Sequence, residues 1–107
     1  MHTKYEVMES YLIIKVPKEL DHHQADILRS EVELLIHIHH ARNLVFDFEE
    51  TEFMDSSGIG VLIGRSRNLG FCNGIVYARN LNPRVKKIFQ ASGLGKIIYV
   101  IPEEVSL

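Results

Sequence analysis

Residues 53–65, FMDSSGIGVLIGR, constrain this chain more than any other stretch. Two apolar residues run into an acid and a pair of serines, and three glycines follow among aliphatics. Asp55, Ser56 and Ser57 carry short side-chain oxygens that accept hydrogen bonds from the unpaired amides of a first helical turn, so a helix starts here. Gly58, Gly60 and Gly64 then lie inside it, although each glycine costs roughly 0.5–1 kcal/mol relative to alanine in a helix interior. Close approach by the sheet or by a partner is the expected compensation. Upstream, Asn43 to Phe48 (NLVFDF) is an apolar run of strand length that suits burial on both faces. It reaches the helix through the loop Glu49, Glu50, Thr51, Glu52.

The flanking chain repeats this alternation. Lys4 to Met8 and Tyr11 to Val16 are rich in aromatic and β-branched residues and read as two paired strands, the second ended by Pro17. Ala25, Leu28, Val32, Leu35 and Ile36 recur at spacings of three and four, which predicts an amphipathic helix capped by Asp21 and running to His39 or His40. In the helix from Ser57 to Leu69, the residues Ile59, Leu62, Ile63, Ser66 and Leu69 share the side expected on the sheet, and Arg65, Arg67 and Asn68 point elsewhere. Gly70 is the expected left-handed stop, and Gly74 to Ala78 the next buried strand after a turn through Asn73. Asn80, Asn82 and Pro83 open a third helix with Val85, Ile88 and Phe89 on its buried face, ended by Gly93. Lys96 to Ile101 (KIIYVI) is the last predicted strand, interrupted by Pro102, and the tail from Glu103 is too short for a helix without packing. The order β β α β α β α β predicts one α/β domain over residues 1–107, with a mixed sheet of about five strands and helices packed over it. In such sheets function gathers at loops after strand C-terminal ends, and the loop holding Ser56 is one of them.

Charge and cysteine content narrow the function. A formal net charge of -2 leaves no electrostatic footprint for nucleic acid or an anionic membrane. Cys72 is the single cysteine, so no internal disulfide forms, and its reading is an inert thiol in a reducing compartment. No apolar run approaches the roughly 20 residues of a membrane span, and the N-terminus lacks a basic region followed by an apolar core. The expectation is a cytoplasmic, soluble monomer.

Three candidate caps stand in a row where a helix needs one, so surplus hydroxyls remain for exposed chemistry. A phosphate on Ser56 would sit beside free amides at the positive end of the helix dipole, where negative charge is favoured. Modification there would keep the fold and change the surface, as a reversible binding switch requires. The glycines do not fit GxGxxG, and no GxxxxGK[ST] occurs, so a nucleotide loop is not indicated. Ser92 to Lys96 (SGLGK) lies between helix and strand, the reverse of the order a phosphate loop needs, and Gly93 reads better as a helix stop. Six histidines, including His37, His39 and His40 near a helix end and the adjacent His22 and His23, make no HExxH pattern, so no metal or other cofactor is expected. A serine hydrolase with Ser56 as nucleophile and His22 or His23 as base lacks the GxSxG elbow and any evident oxyanion hole. Catalysis is therefore not expected.

The stretch FMDSSGIGVLIGR resembles the signature of the STAS domain in bacterial anti-sigma factor antagonists, and Glu19-Leu20-Asp21-His22-His23 resembles the segment opening the first helix in the sporulation type, which acts against anti-sigma F factor. Asn82-Pro83-Arg84-Val85 and Phe89-Gln90-Ala91-Ser92-Gly93-Leu94 look like the family's third helix and its stop, so the resemblance covers almost the whole chain. It implies a STAS-like α/β fold and a protein that, unphosphorylated, binds an anti-sigma factor that is also a serine kinase and releases the sigma factor. Phosphorylation on the serine after the aspartate, here Ser56, would end binding, and a serine phosphatase would reset it. ATP and ADP would be bound by the partner. The implied partner surface comprises Asp21, Asp55, Ser56, Ser57, Gly58, Ile59 and Gly60, with Phe53 and Met54 beside it and Asp21 available to a partner arginine. The same resemblance admits a general stress-response circuit, or a STAS module that binds a small ligand or nucleotide. Two departures stand out: Lys18 occupies a position where the family often has glycine, and a C-terminal helix is short or missing.

Overall fold

The alternation of strand and helix is realised as a five-stranded mixed sheet. The computed structural model describes residues 1–71 and 73–103. In chain order the elements are β1 (Tyr5–Met8), β2 (Tyr11–Lys15), β3 (Glu19–Leu20), α1 (His22–His39), β4 (Asn43–Asp47), β5 (Phe53–Met54), α2 (Ser56–Phe71), β6 (Val76–Arg79), α3 (Pro83–Ser92) and β7 (Tyr99–Val100), with a 3-10 turn at Leu94–Lys96 before the last strand. The main sheet has the order β1-β2-β4-β6-β7, antiparallel only at the β1/β2 hairpin. Alternate residues of its central strands face two ways. Leu12, Ile14, Leu44, Phe46, Val76 and Ala78 meet the helices in one core, whereas Ile13, Val45 and Ile101 form a smaller cluster with Tyr11 and Tyr77 on the other face.

Local sequence explains the helices. Ala25, Leu28, Val32 and Leu35 are the buried stripe of α1, as the spacing predicts. Asn82 caps α3 by accepting a hydrogen bond from the Val85 amide, with Pro83 in the first turn, and Gly93 ends the helix at φ 78°. Phe89 of α3 stands edge-on to Phe48, ring centres 5.5 Å apart.

Four expectations need correction. First, α2 continues past Gly70 to Phe71, and the left-handed residue is Asn73, at φ 60°; asparagine tolerates that conformation, so no glycine is required. Second, the last strand keeps only Tyr99 and Val100 of KIIYVI, because Leu94 plunges fully into the core after Gly93 and the chain closes a 3-10 turn with the Lys96 amide on the Gly93 carbonyl. Third, β6 runs Val76–Arg79, displaced from the predicted span of Gly74 to Ala78. Fourth, β3 and β5 are additional two-residue strands that form a separate parallel pair. Arg65 points away from the sheet, as expected: its side chain is 11% exposed and pairs with Glu33 of α1 at 2.9 Å, which places α2 against α1 as well as the sheet. Cys72 and the C-terminal tail at 104–107 lie outside the described residues, so the expectations for the thiol and for a short or missing last helix have no counterpart here.

Candidate functional site

The β3/β5 pair builds the site. β2 and β4 run parallel in the main sheet, and both chains then leave it and pair again, Glu19 with Phe53 and Leu20 with Met54. The connection from β4 to β5 is two residues longer than that from β2 to β3, and the surplus forms a tight turn. Thr51, completely buried, secures this turn: its hydroxyl donates to the Val16 carbonyl at 3.0 Å, and its own carbonyl accepts from Asn82 Nδ2 at 2.6 Å. The Glu52 and Phe53 amides donate to the Lys18 carbonyl. Lys18 is not among the residues with positive φ, so its backbone conformation does not call for a glycine.

Two helices consequently begin side by side. Asp21 caps α1 by accepting from the Gln24 amide at 2.9 Å. Asp55 caps α2, its Oδ1 accepting from the Ser57 amide at 2.9 Å and the Gly58 amide at 3.1 Å. The Asp55 amide donates to the Leu20 carbonyl at 3.2 Å, tying the second cap to the strand before the first. Of the three candidate caps, the carboxylate takes the role. The serines are left with separate fates. Ser57 is half-buried, its Oγ 3.0 Å from His22 Nδ1 on α1, whereas Ser56 is exposed, and no hydrogen bond to its hydroxyl occurs among the described residues.

The glycines also divide. A Cβ on Gly58 would lie 2.7 Å from the Leu20 carbonyl oxygen and 2.8 Å from Leu20 Cγ, so this glycine allows α2 to pass against β3. Gly60 and Gly64 meet nothing within 4 Å. Clearance of a neighbouring element therefore accounts for one glycine of the three. Ile59 packs partly on the core, Gly60 is exposed, Met54 is buried, and Phe53 is 45% exposed beside the loop. The starts of α1 and α2 bound an open groove of about 260 Å³ lined in part by His22, Asp26, Arg29, Ser57 and Gly60.

Behind the loop lies a polar group that the sequence reading left unassigned. Asp47, at the end of β4, is 2% exposed; it accepts from Arg79 Nε at 3.1 Å, Asn80 Nδ2 at 3.0 Å and the Glu49 amide at 3.0 Å. Burial alone would raise its pKa, but these hydrogen bonds and the Arg79 charge outweigh burial and hold the carboxyl below its ordinary value. Asn80, at φ 60°, is turned to make its contact. The signal was present as an isolated acid in an apolar strand, since a buried charge needs partners.

The remaining histidine and serine arrangements are simple. His40 ends α1 in the left-handed conformation, His39 lies against Tyr5, and the described residues contain no group of three or more potential metal ligands. His22 meets Ser57, not Ser56. Asp26, one turn beyond His22, is held by Arg29 at 2.7 Å, and no carboxylate bonds to His22 among the described residues. No helix of the described residues is long and apolar enough to cross a membrane.

Residues 2–106 match the family model of the STAS domain. The chain is 34% identical over 105 residues, 97% of its length and 90% of the relative's, to the anti-sigma F factor antagonist of Lysinibacillus sphaericus. It is 27% identical over 90 residues, 84% of its length and 81% of the relative's, to the anti-sigma-B factor antagonist of Bacillus subtilis. Among solved structures it is similar to the anti-sigma factor antagonist SpoIIAA in its unphosphorylated form, with a TM-score of 0.74 at 29% identity over 94% of this chain and 87% of that one. It is also similar to the phosphorylated form of the Bacillus cell fate determinant SpoIIAA, with a TM-score of 0.69 at 33% identity over 95% and 93%.

Proposed function

The chain belongs to the STAS domain family, and from that premise we propose that it is an anti-sigma factor antagonist switched by phosphorylation of Ser56. Unphosphorylated, it binds an anti-sigma factor that is also a serine kinase and displaces the sigma factor. The kinase, holding ATP, then phosphorylates Ser56 and the product dissociates, until a serine phosphatase restores the hydroxyl. The protein acts in the cytoplasm as ligand and substrate, with no catalysis or cofactor of its own. The observation that carries this reading is the exposed Ser56 hydroxyl at the first turn of α2, where Asp55 already satisfies the cap.

Asp21, Asp55, Ser56, Ser57, Ile59 and Gly60 form the partner surface, and Gly58 sets the close packing beneath it. Pairing of β3 with β5 supports the inclusion of Asp21, which it brings to the start of α2. A phosphate of about -1.5 to -2 charge placed in that contact is a desolvated, poorly paired anion. An unpaired charge in an interface costs about 2–5 kcal/mol, a weakening of roughly thirty-fold to several thousand-fold. Identity of 34% to the anti-sigma F relative against 27% to the anti-sigma-B relative favours the sporulation circuit over the general stress response.

The test is incubation with an anti-sigma factor kinase and ATP, followed by phosphosite mapping. Modification at Ser56 is expected; modification only at Ser57, or none, refutes the assignment. Ser56→Ala should keep partner binding and resist ATP, while Ser56→Asp should bind at least thirty-fold more weakly.

A further inference from the structure

Ser56 and Ser57 are adjacent hydroxyls at the start of one helix, and the helix dipole favours a phosphate on either. What separates them is the His22 side chain, which reaches from the first residue of α1 to within 3.0 Å of Ser57 Oγ. We propose that His22 is a specificity-determining positioning residue: by holding the Ser57 hydroxyl against α1 it withholds that oxygen from phosphoryl transfer and leaves Ser56 as the single acceptor. The inference rests on the reading of Ser56 as the phosphorylated residue.

The chemistry makes the constraint concrete. In the transfer, a serine Oγ forms a bond to the γ-phosphorus of ATP, the bond from that phosphorus to the β,γ-bridging oxygen breaks to release ADP, and the hydroxyl proton passes to a base of the kinase. The attacking oxygen must lie in line with the bond that breaks. Ser57 is half-buried at the wall of the groove between α1 and α2, and turning its Oγ out to an incoming γ-phosphate would break the bond to His22. Breaking one hydrogen bond corresponds to about a two- to ten-fold disadvantage, before any loss from misalignment. Ser56 meets no such obstacle. The opposite role, in which His22 activates Ser57 as a general base, needs a group that orients the imidazole; Asp26 is held by Arg29 instead.

The exposed position of His22 makes it replaceable without disturbing the core. The experiment uses the full chain, an anti-sigma factor serine kinase that phosphorylates it, and ATP, with mass-spectrometric counting of phosphate at each serine. In the Ser56→Ala variant little modification is expected. In Ser56→Ala combined with His22→Ala, phosphate should appear on Ser57 at least two- to ten-fold faster. His22→Asn, whose amide can still bond the hydroxyl, should restore much of the protection. Equal rates on Ser57 with and without His22 overturn the proposal, and a lower rate without it shows activation instead of withholding. Absence of phosphate on Ser56 in the native chain would refute the underlying reading, and that result is separate from either outcome at Ser57.

Discussion

Gly58→Ala tests whether the site is built by close packing of α2 on β3. The added methyl would meet the Leu20 carbonyl oxygen at 2.7 Å, Leu20 Cγ at 2.8 Å and Leu20 Cδ2 at 2.9 Å. None of these can retreat easily: Leu20 is fully buried, and its carbonyl accepts the Asp55 amide at 3.2 Å. Overpacking a rigid contact costs about 1–3 kcal/mol. Replacing glycine by alanine in a helix returns about 0.5–1 kcal/mol, so the net loss should be centred on about 1 kcal/mol and reach at most about 2.5 kcal/mol. Gly60→Ala supplies the control on the same helix, because nothing lies within 4 Å of its Cβ, and it should gain the propensity term alone. The two variants should differ by about 2 kcal/mol, roughly 10 °C in Tm for a domain near this size. Urea unfolding with an unchanged m value would establish that the difference lies in stability. If Gly58→Ala were as stable as Gly60→Ala, the packing of α2 on Leu20 would not be the reason for the glycine.

Other perturbations address the charges. Asp47→Asn removes the anion that Arg79, Asn80 and the Glu49 amide surround, and should destabilise the domain by about 2–3 kcal/mol at neutral pH in a denaturant titration. Since the folded Asp47 pKa is depressed, its contribution is full above the ordinary aspartate value and disappears as pH falls from there through the folded pKa; the native chain should lose stability over that window more steeply than Asp47→Asn. Asp21 has two roles that substitution can separate. Asp21→Asn keeps a cap for the Gln24 amide and should leave Tm nearly unchanged while weakening anti-sigma factor binding, whereas Asp21→Ala should also lose about 1 kcal/mol of stability. Undiminished binding by Asp21→Asn, measured by calorimetric titration, would remove the Asp21 charge from the contact surface.

Features governed by near neighbours were legible in the sequence. The caps Asp21 and Asn82, the stop at Gly93 and the buried stripe of α1 each depend on residues within a turn or two. The two-residue strands β3 and β5 were not, because a pair of residues carries no periodicity and its pairing is decided by the chain 34 positions away. The truncated β7 failed for a related reason: KIIYVI has strand composition throughout, but the core takes Leu94 and Ile98 and the geometry after Gly93 spends the residues between them on a turn. Glycines posed a different problem. Gly58, Gly60 and Gly64 look alike in the sequence, yet only a neighbour from a distant segment distinguishes the first. The His22–Ser57 contact joins residues 35 apart, and nothing local to either announces it.

These distant contacts determine how a modification would act. Around Ser56 the polar groups are occupied internally: Asp55 by two amides of α2, Ser57 by His22, and the Leu20 carbonyl by the Asp55 amide. A phosphate on Ser56 would displace none of these bonds, and it would add charge where the helix dipole favours it by about 0.3–1 kcal/mol at an exposed site. The fold therefore has no reason to rearrange, and the free energy of the proposed switch would come from the interface. A rigid strand-to-helix junction suits the proposed role better than a flexible loop: a loop could turn the phosphate to solvent and recover binding, whereas a phosphate on residue 56, fixed by the cap and the β3/β5 pair, would keep its charge at the proposed contact.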